Sequence, residues 1–152
     1  MRVVVWFSAL VFHFSLNAQP PAQPDYPKGY FRNPLTIAMD LSGNFGELRP
    51  NHYHMGIDLK TLKRENLAVH AAAEGYIAKV KIEPGGFGRA IYINHPNGYT
   101  TLYAHLNNFT PALEAYIKRE QYRLEEWRIF IDLPPDLFPV KKDPLYKTIK
   151  IP

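Results

Sequence analysis

The chain has no cysteine. That excludes a disulfide scaffold, a thiolate metal site and, since none follows the first apolar run, lipoprotein attachment. The apolar run at 3–12 is too short to cross a bilayer by itself. Charge of one sign is scarce as well: the formal net charge is +4, and the 18 Lys and Arg are scattered. No basic stripe marks a nucleic-acid footprint, and so small a charge is no evidence for an anionic polymer partner. Internal repeats are absent, and no histidine follows His105.

What is present is a globular composition. With 152 residues and 46% apolar content, the chain is long enough for one domain with a real core and too apolar to be disordered. Ten Tyr and nine Phe favour strands. Arg2, the apolar run at 3–12 and Leu16-Asn-Ala18 read as a secretory signal over 1–18, cut before Gln19. The expected location is therefore the periplasm, the cell envelope or outside the cell, with no membrane span after cleavage. Pro20, Pro21, Pro24, Pro27 and Pro34 make 19–41 a linker or arm.

Strand patterns are expected at 67–73, 75–82 and 90–94, then a hairpin turn at 95–98 built on Asn97-Gly98, then a partner strand at 99–103. The period then changes. Thr110 as N-cap, Pro111 at the first helical position and a Glu114–Lys118 pair predict one helix over 111–126. A strand at 127–131 follows, and Pro134, Pro135 and Pro139 should stop regular structure. The fold class is mainly β, an antiparallel sheet with one helical excursion. The Gly85-Gly-Phe-Gly88 run lacks the helix that a phosphate loop needs and reads as a hairpin loop.

The chemistry concentrates in Arg49-Pro-Asn-His-Tyr-His-Met-Gly-Ile-Asp58. Fully extended, His54 and Asp58 would have Cα atoms about 13 Å apart. Two ligands of one zinc ion must each bring an atom to about 2 Å from it, so the chain must turn between them. Gly56 is the residue expected to take the unusual backbone angles. Ile57 and Leu59 alternate with Asp58 and Lys60 as at the start of a strand. This puts a His on a loop and an Asp on a strand. A capped turn with a surface hydrogen bond would give the same spacing.

Two segments match one pattern. His54-Met-Gly-Ile-Asp58, followed by Val69-His-Ala-Ala-Ala-Glu-Gly-Tyr-Ile-Ala-Lys-Val80 and by Asn97-Gly-Tyr-Thr-Thr-Leu-Tyr-Ala-His105-Leu, resembles the lysostaphin/LytM-like zinc metalloendopeptidases of bacterial cell walls. The resemblance implies a β-sheet groove, a peptidase-like domain over 42–152, a Zn²⁺ ion and hydrolysis of peptidoglycan peptide bridges. It makes His54 and Asp58 metal ligands and His105 a catalytic residue that orients or deprotonates the attacking water. Arg49 is a candidate for assisting developing negative charge, with a surface ion pair as the plainer role. His52 is a substrate-groove or surface residue, or a substitute ligand. His70 and His95 are expected to be structural.

The family pattern ends in a glycine-rich turn and a His-x-His motif that supplies the third zinc ligand and a further base. Here Val140-Lys-Lys142 is followed by 143–152 with no histidine. The expectation is an impaired peptidase, either a truncated or frameshifted enzyme or a pseudoenzyme, with an open sheet edge that lowers stability or drives association. Two other readings stand beside it: a non-catalytic module that binds wall peptide or regulates a wall hydrolase, and a structural envelope protein of similar shape.

Overall fold

The computed structural model describes residues 28–141. The signal sequence, the first part of the proline-rich arm and the segment after Lys141 lie outside the described residues. Seven strands and one helix follow in the order β1 (Leu41–Gly43), β2 (Asp58–Leu59), β3 (Gly75–Ile82), β4 (Arg89–Asn94), β5 (Thr100–Tyr103), α1 (Pro111–Leu124), β6 (Ile129–Asp132) and β7 (Pro139–Val140). They form two sheets, and every pairing is antiparallel. The larger has the order β5-β4-β3-β6, with β7 pairing the opposite end of β3. The smaller is β1-β2. The architecture is the mainly β one expected, with a single helix.

Alternation builds the core. Val80 on β3, Ile91 and Ile93 on β4 and Ile129 on β6 point to one face, and each is at most 2% exposed. Leu113 and Ile117, four apart on α1, close over that face. Burying each such side chain contributes about 1.5–3 kcal/mol relative to leaving it in water. The other face carries Lys79 and Lys81, whose ammonium groups lie over the rings of Phe130 and Phe87 at 4.7 and 5.6 Å. The β4–β5 turn forms as expected: His95 N donates to Tyr99 O, and Gly98 takes φ of 83°.

Several local expectations are corrected. Residues 67–73 form no strand; Val69 makes one bridge to Leu35, and His70 N and Arg32 N bond across to Pro34 O and Ala72 O. Small alanines leave that stretch little side chain to pack on a pleated surface. The helix stops at Leu124 rather than 126, because Glu125 turns left-handed with φ of 54°. Thr110 occupies the N-cap position without a side-chain cap bond. Glu114 instead ties the residue ahead of the cap, accepting Phe109 N at 2.7 Å, and it pairs with Arg89 rather than with Lys118. Pro139 does not stop structure: it sits in β7 opposite Tyr76, on a short outer strand that tolerates a missing donor.

Candidate metal and peptidase site

His54 and Asp58 stand on a small ribbon in which 40–49 run back against 52–60. Its backbone ties are His54 N to Glu47 O and Gly46 N to His54 O, both 2.8 Å, Arg49 N to His52 O and Lys60 N to Asp40 O. Leu48 bridges Tyr53, and Gly43 sits opposite Asp58 in the β1–β2 register. The ribbon reverses at 49–52, ahead of His54, and the chain bends again at Gly56, between His54 and Asp58 as expected, without a left-handed φ there; Gly46 is left-handed, with φ of 76°. His54 stays on the loop and Asp58 opens β2.

The side chains of the pair meet. His54 Nε2 lies 3.3 Å from Asp58 Oδ1. Its other ring nitrogen, Nδ1, is 2.9 Å from the carbonyl oxygen of Asn44. Arg49 Nη2 also approaches Nδ1, at 3.4 Å. A carbonyl only accepts, so Nδ1 is the nitrogen that donates to Asn44 O, and Nε2 is the one turned towards the carboxylate. This is the arrangement by which a metal-ligating histidine is held in its tautomer.

Asp58 Oδ2 accepts from Arg49 Nη2 at 2.8 Å, and the same guanidinium reaches Glu47 Oε2 at 3.2 Å. Arg49 is thus an ion-pair partner of Asp58. Gly43 makes this possible: a Cβ there would stand 2.3 Å from Asp58 Oδ2 and 2.5 Å from Arg49 Nη2. Sequence reasoning missed both Gly43 and the Asn44 carbonyl. A backbone oxygen has no residue signature, and the only visible cue was a glycine on the strand that faces the motif.

His105 lies on the turn after β5, exposed, with a left-handed φ of 57°. For a residue with a Cβ that conformation costs on the order of 1–3 kcal/mol and persists only where neighbours impose it. His52 is exposed and its Nδ1 is 2.6 Å from Asn51 Oδ1. Among the described residues no three His, Asp or Glu side chains come close enough to hold one metal ion. His54 and Asp58 form a pair, and neither His52 nor His105 makes it a triad. A depression of about 400 Å³ on the outer sheet face, lined by Tyr76, Lys79, Tyr92, Asn94, Thr100 and Asp132, includes none of these residues.

The other two histidines among the described residues, His70 and His95, are buried. His95 is buried; its Nδ1 donates to Glu74 O at 2.6 Å and its Nε2 is 2.9 Å from Thr101 Oγ1. Tyr103, whose hydroxyl accepts Ala72 N and meets Thr101, has its pKa raised by burial. Burial, aided by the Arg32 charge, lowers that of His70.

Residues 52–122 match the family model described as Peptidase family M23. Over 90 residues the chain is 44% identical to the DD-carboxypeptidase/endopeptidase Mpg of Neisseria meningitidis serogroup B and, equally, of Neisseria gonorrhoeae, which covers 56% of this chain and 20% of each relative. It is 33% identical over 89 residues to a protein of Haemophilus influenzae described as an uncharacterized metalloprotease, covering 53% of this chain and 18% of that one. The chain thus spans about a fifth of the length of these relatives. No solved structure matches it. The mainly antiparallel sheet with one helix is consistent with that family's fold, and over 52–122 the chain is similar to peptidase family M23, the family of the lysostaphin/LytM-like enzymes.

Proposed function

We propose that this domain is an exported zinc-dependent peptidase module directed at the peptide cross-links of peptidoglycan, with His54 and Asp58 as protein ligands of the ion. The observation that carries the reading is the His54 ring, held by Asn44 O so that Nε2 faces Asp58 Oδ1 at 3.3 Å. The donor set suits zinc, which takes imidazole nitrogen and carboxylate oxygen. Zinc would supply a Lewis acid that polarises the scissile carbonyl and acidifies a water. Around it the chain's own residues have separate tasks. Arg49 holds one carboxylate oxygen of Asp58 and leaves the other directed at His54. His105, exposed on its turn, is the residue proposed to move the proton of the attacking water. His52 is a candidate contact for the peptide.

Catalytic zinc sites use three protein ligands, and the described residues assemble two. That observation favours a second reading, a peptidase-shaped module that binds wall peptide without cleaving it. The two separate in one experiment on the exported chain: zinc binding by competition with a chromophoric chelator, beside release of amino groups from purified cross-linked peptidoglycan. The peptidase reading expects zinc-dependent release, lost in His54→Ala and Asp58→Ala. The binding reading expects retention on peptidoglycan with no release at any zinc concentration. Retention and release both absent would end both.

A further inference from the structure

The turn that carries His105 is fastened at each end. His105 N donates to Phe87 O at 3.0 Å, and Leu106 N donates to Arg89 O at 2.9 Å. Asn107 Nδ2 donates to Asn66 Oδ1 at 3.0 Å, on the loop that follows β2. Phe109 N donates to Glu114 Oε1 at 2.7 Å. That same carboxylate oxygen pairs with Arg89 Nη2, and the Arg89 guanidinium lies over the Phe109 ring, 4.4 Å from its centroid. Arg89 is the common member. Its carbonyl holds the start of the turn, its side chain holds the end, and through Glu114 it ties both to the first turn of α1.

The glycine-rich loop belongs to the same assembly. Gly88, next to Arg89, is left-handed with φ of 61°, and a Cβ there would sit 4.0 Å from His105 Nδ1. The loop thus brings backbone, without side-chain bulk, up to the imidazole. His105 adopts its left-handed conformation between two acceptors, Phe87 O and Arg89 O, which neighbouring residues of one strand end supply. His105 is thus an exposed residue whose left-handed backbone is held by several independent ties.

We propose that Arg89 is a positioning residue for His105: with Glu114 and Phe109 it clamps the 105–109 turn between β4 and α1 and so fixes where the imidazole stands. This rests on the reading of His105 as the proton-transfer residue. Neither Arg89 nor Glu114 contacts the His54–Asp58 pair in this arrangement, so the clamp acts on the proton-moving half of the site alone.

The test uses the full chain, isotopically labelled, with amide hydrogen exchange and the His105 ring signals as readouts. Arg89→Ala should speed exchange at His105, Leu106 and Phe109 by at least tenfold and shift or broaden the ring signals, while the amides of Val80, Ile91 and Ile93 keep their protection. Glu114→Gln should do the same more weakly. Arg89→Glu and Glu114→Arg should each loosen the turn singly, and the double variant should restore the ring signals, a rescue that loss of general packing would not give. Unchanged turn amides and ring signals in Arg89→Ala, or changes that only follow global unfolding, would overturn the clamp. Cleavage assays tell this from failure of the underlying reading. A fall in kcat at unchanged KM in Arg89→Ala supports the proposal. Full cleavage by His105→Gln would overturn the role given to His105, whatever the ring signals report.

Discussion

The two sheets of this domain are held by different forces. The larger sheet buries a continuous apolar layer in which Val80, Ile91, Ile93 and Leu113 have no exposed surface. The smaller ribbon buries almost nothing: Leu41, Leu48, Tyr53, Met55 and Ile57 are all at least 39% exposed. Backbone hydrogen bonds and an Arg49–Asp58–His54 polar group organise it instead. Hydrophobic burial is strong but non-directional, whereas hydrogen bonds to a carbonyl and a carboxylate set angles. The large sheet supplies stability, and the ribbon supplies geometry at little cost in stability.

That division can be broken most forcefully at the core. Ile91→Ala should lower unfolding free energy by about 2–5 kcal/mol, because it removes a fully buried side chain and leaves a cavity. Urea unfolding followed by circular dichroism measures it. A loss under 1 kcal/mol would mean that the sheet is not where stability resides.

The next largest effect should fall on the ribbon and leave the core untouched. Gly43→Ala places a methyl group 2.3 Å from Asp58 Oδ2, so the carboxylate must move. If His54 and Asp58 hold zinc, affinity should drop roughly ten- to hundred-fold, the range seen when a ligand's supporting contact is lost. The urea midpoint should hardly move. Equal zinc binding by the variant and the parent would show that the ion does not depend on this carboxylate.

Acid should weaken the fold through His70. His70 is buried with its pKa below the ordinary 6.5, so the unfolded chain takes up a proton that the folded chain refuses. Its contribution is complete above pH 6.5 and is lost as pH falls from there through the lowered folded value. His70→Phe should flatten that part of the stability–pH curve. At the alkaline end Tyr103, raised above 10.0 by burial, contributes fully below pH 10 and loses its contribution as pH rises through the folded value. Stability measured from pH 4 to 11 in parent and variants checks both signs.

The smallest effect on stability should come from Arg49→Ala. The ion pair with Asp58 is solvent-screened, with both side chains about a third or more exposed, so it contributes about 0–1 kcal/mol. Its removal should nevertheless reorient Asp58 and change zinc affinity more than stability. The reverse outcome would make Arg49 a plain surface ion pair.

Much of the larger sheet was legible from residues alone. β3, β4, β5 and α1 lie within two residues of the expected positions at both ends, because alternation, Asn97-Gly98 and Pro111 act over short distances. The stretch at 67–73 misled, since Leu, Val and four alanines satisfy a strand pattern while too little side chain is present to pair a strand's face. Gly56 does mark the bend between His54 and Asp58, but the reversal of the ribbon itself is made earlier, at 49–52, by main-chain bonds that no residue type announces.

By itself the sequence determined the mainly β class, the helical interruption and the family segment, since all three rest on periodicity and on residue identities in a fixed order. Only the tertiary structure decided which groups face one another. It aimed His54 Nε2 at Asp58 through the Asn44 carbonyl, it gave Asp58 to Arg49 in the space left by Gly43, and it seated His105 on Phe87 and Arg89. Each of these contacts uses a backbone atom, or the absence of a Cβ, supplied by a strand or loop that pairing brings alongside. Pattern along a chain carries no record of such atoms until the strands have paired.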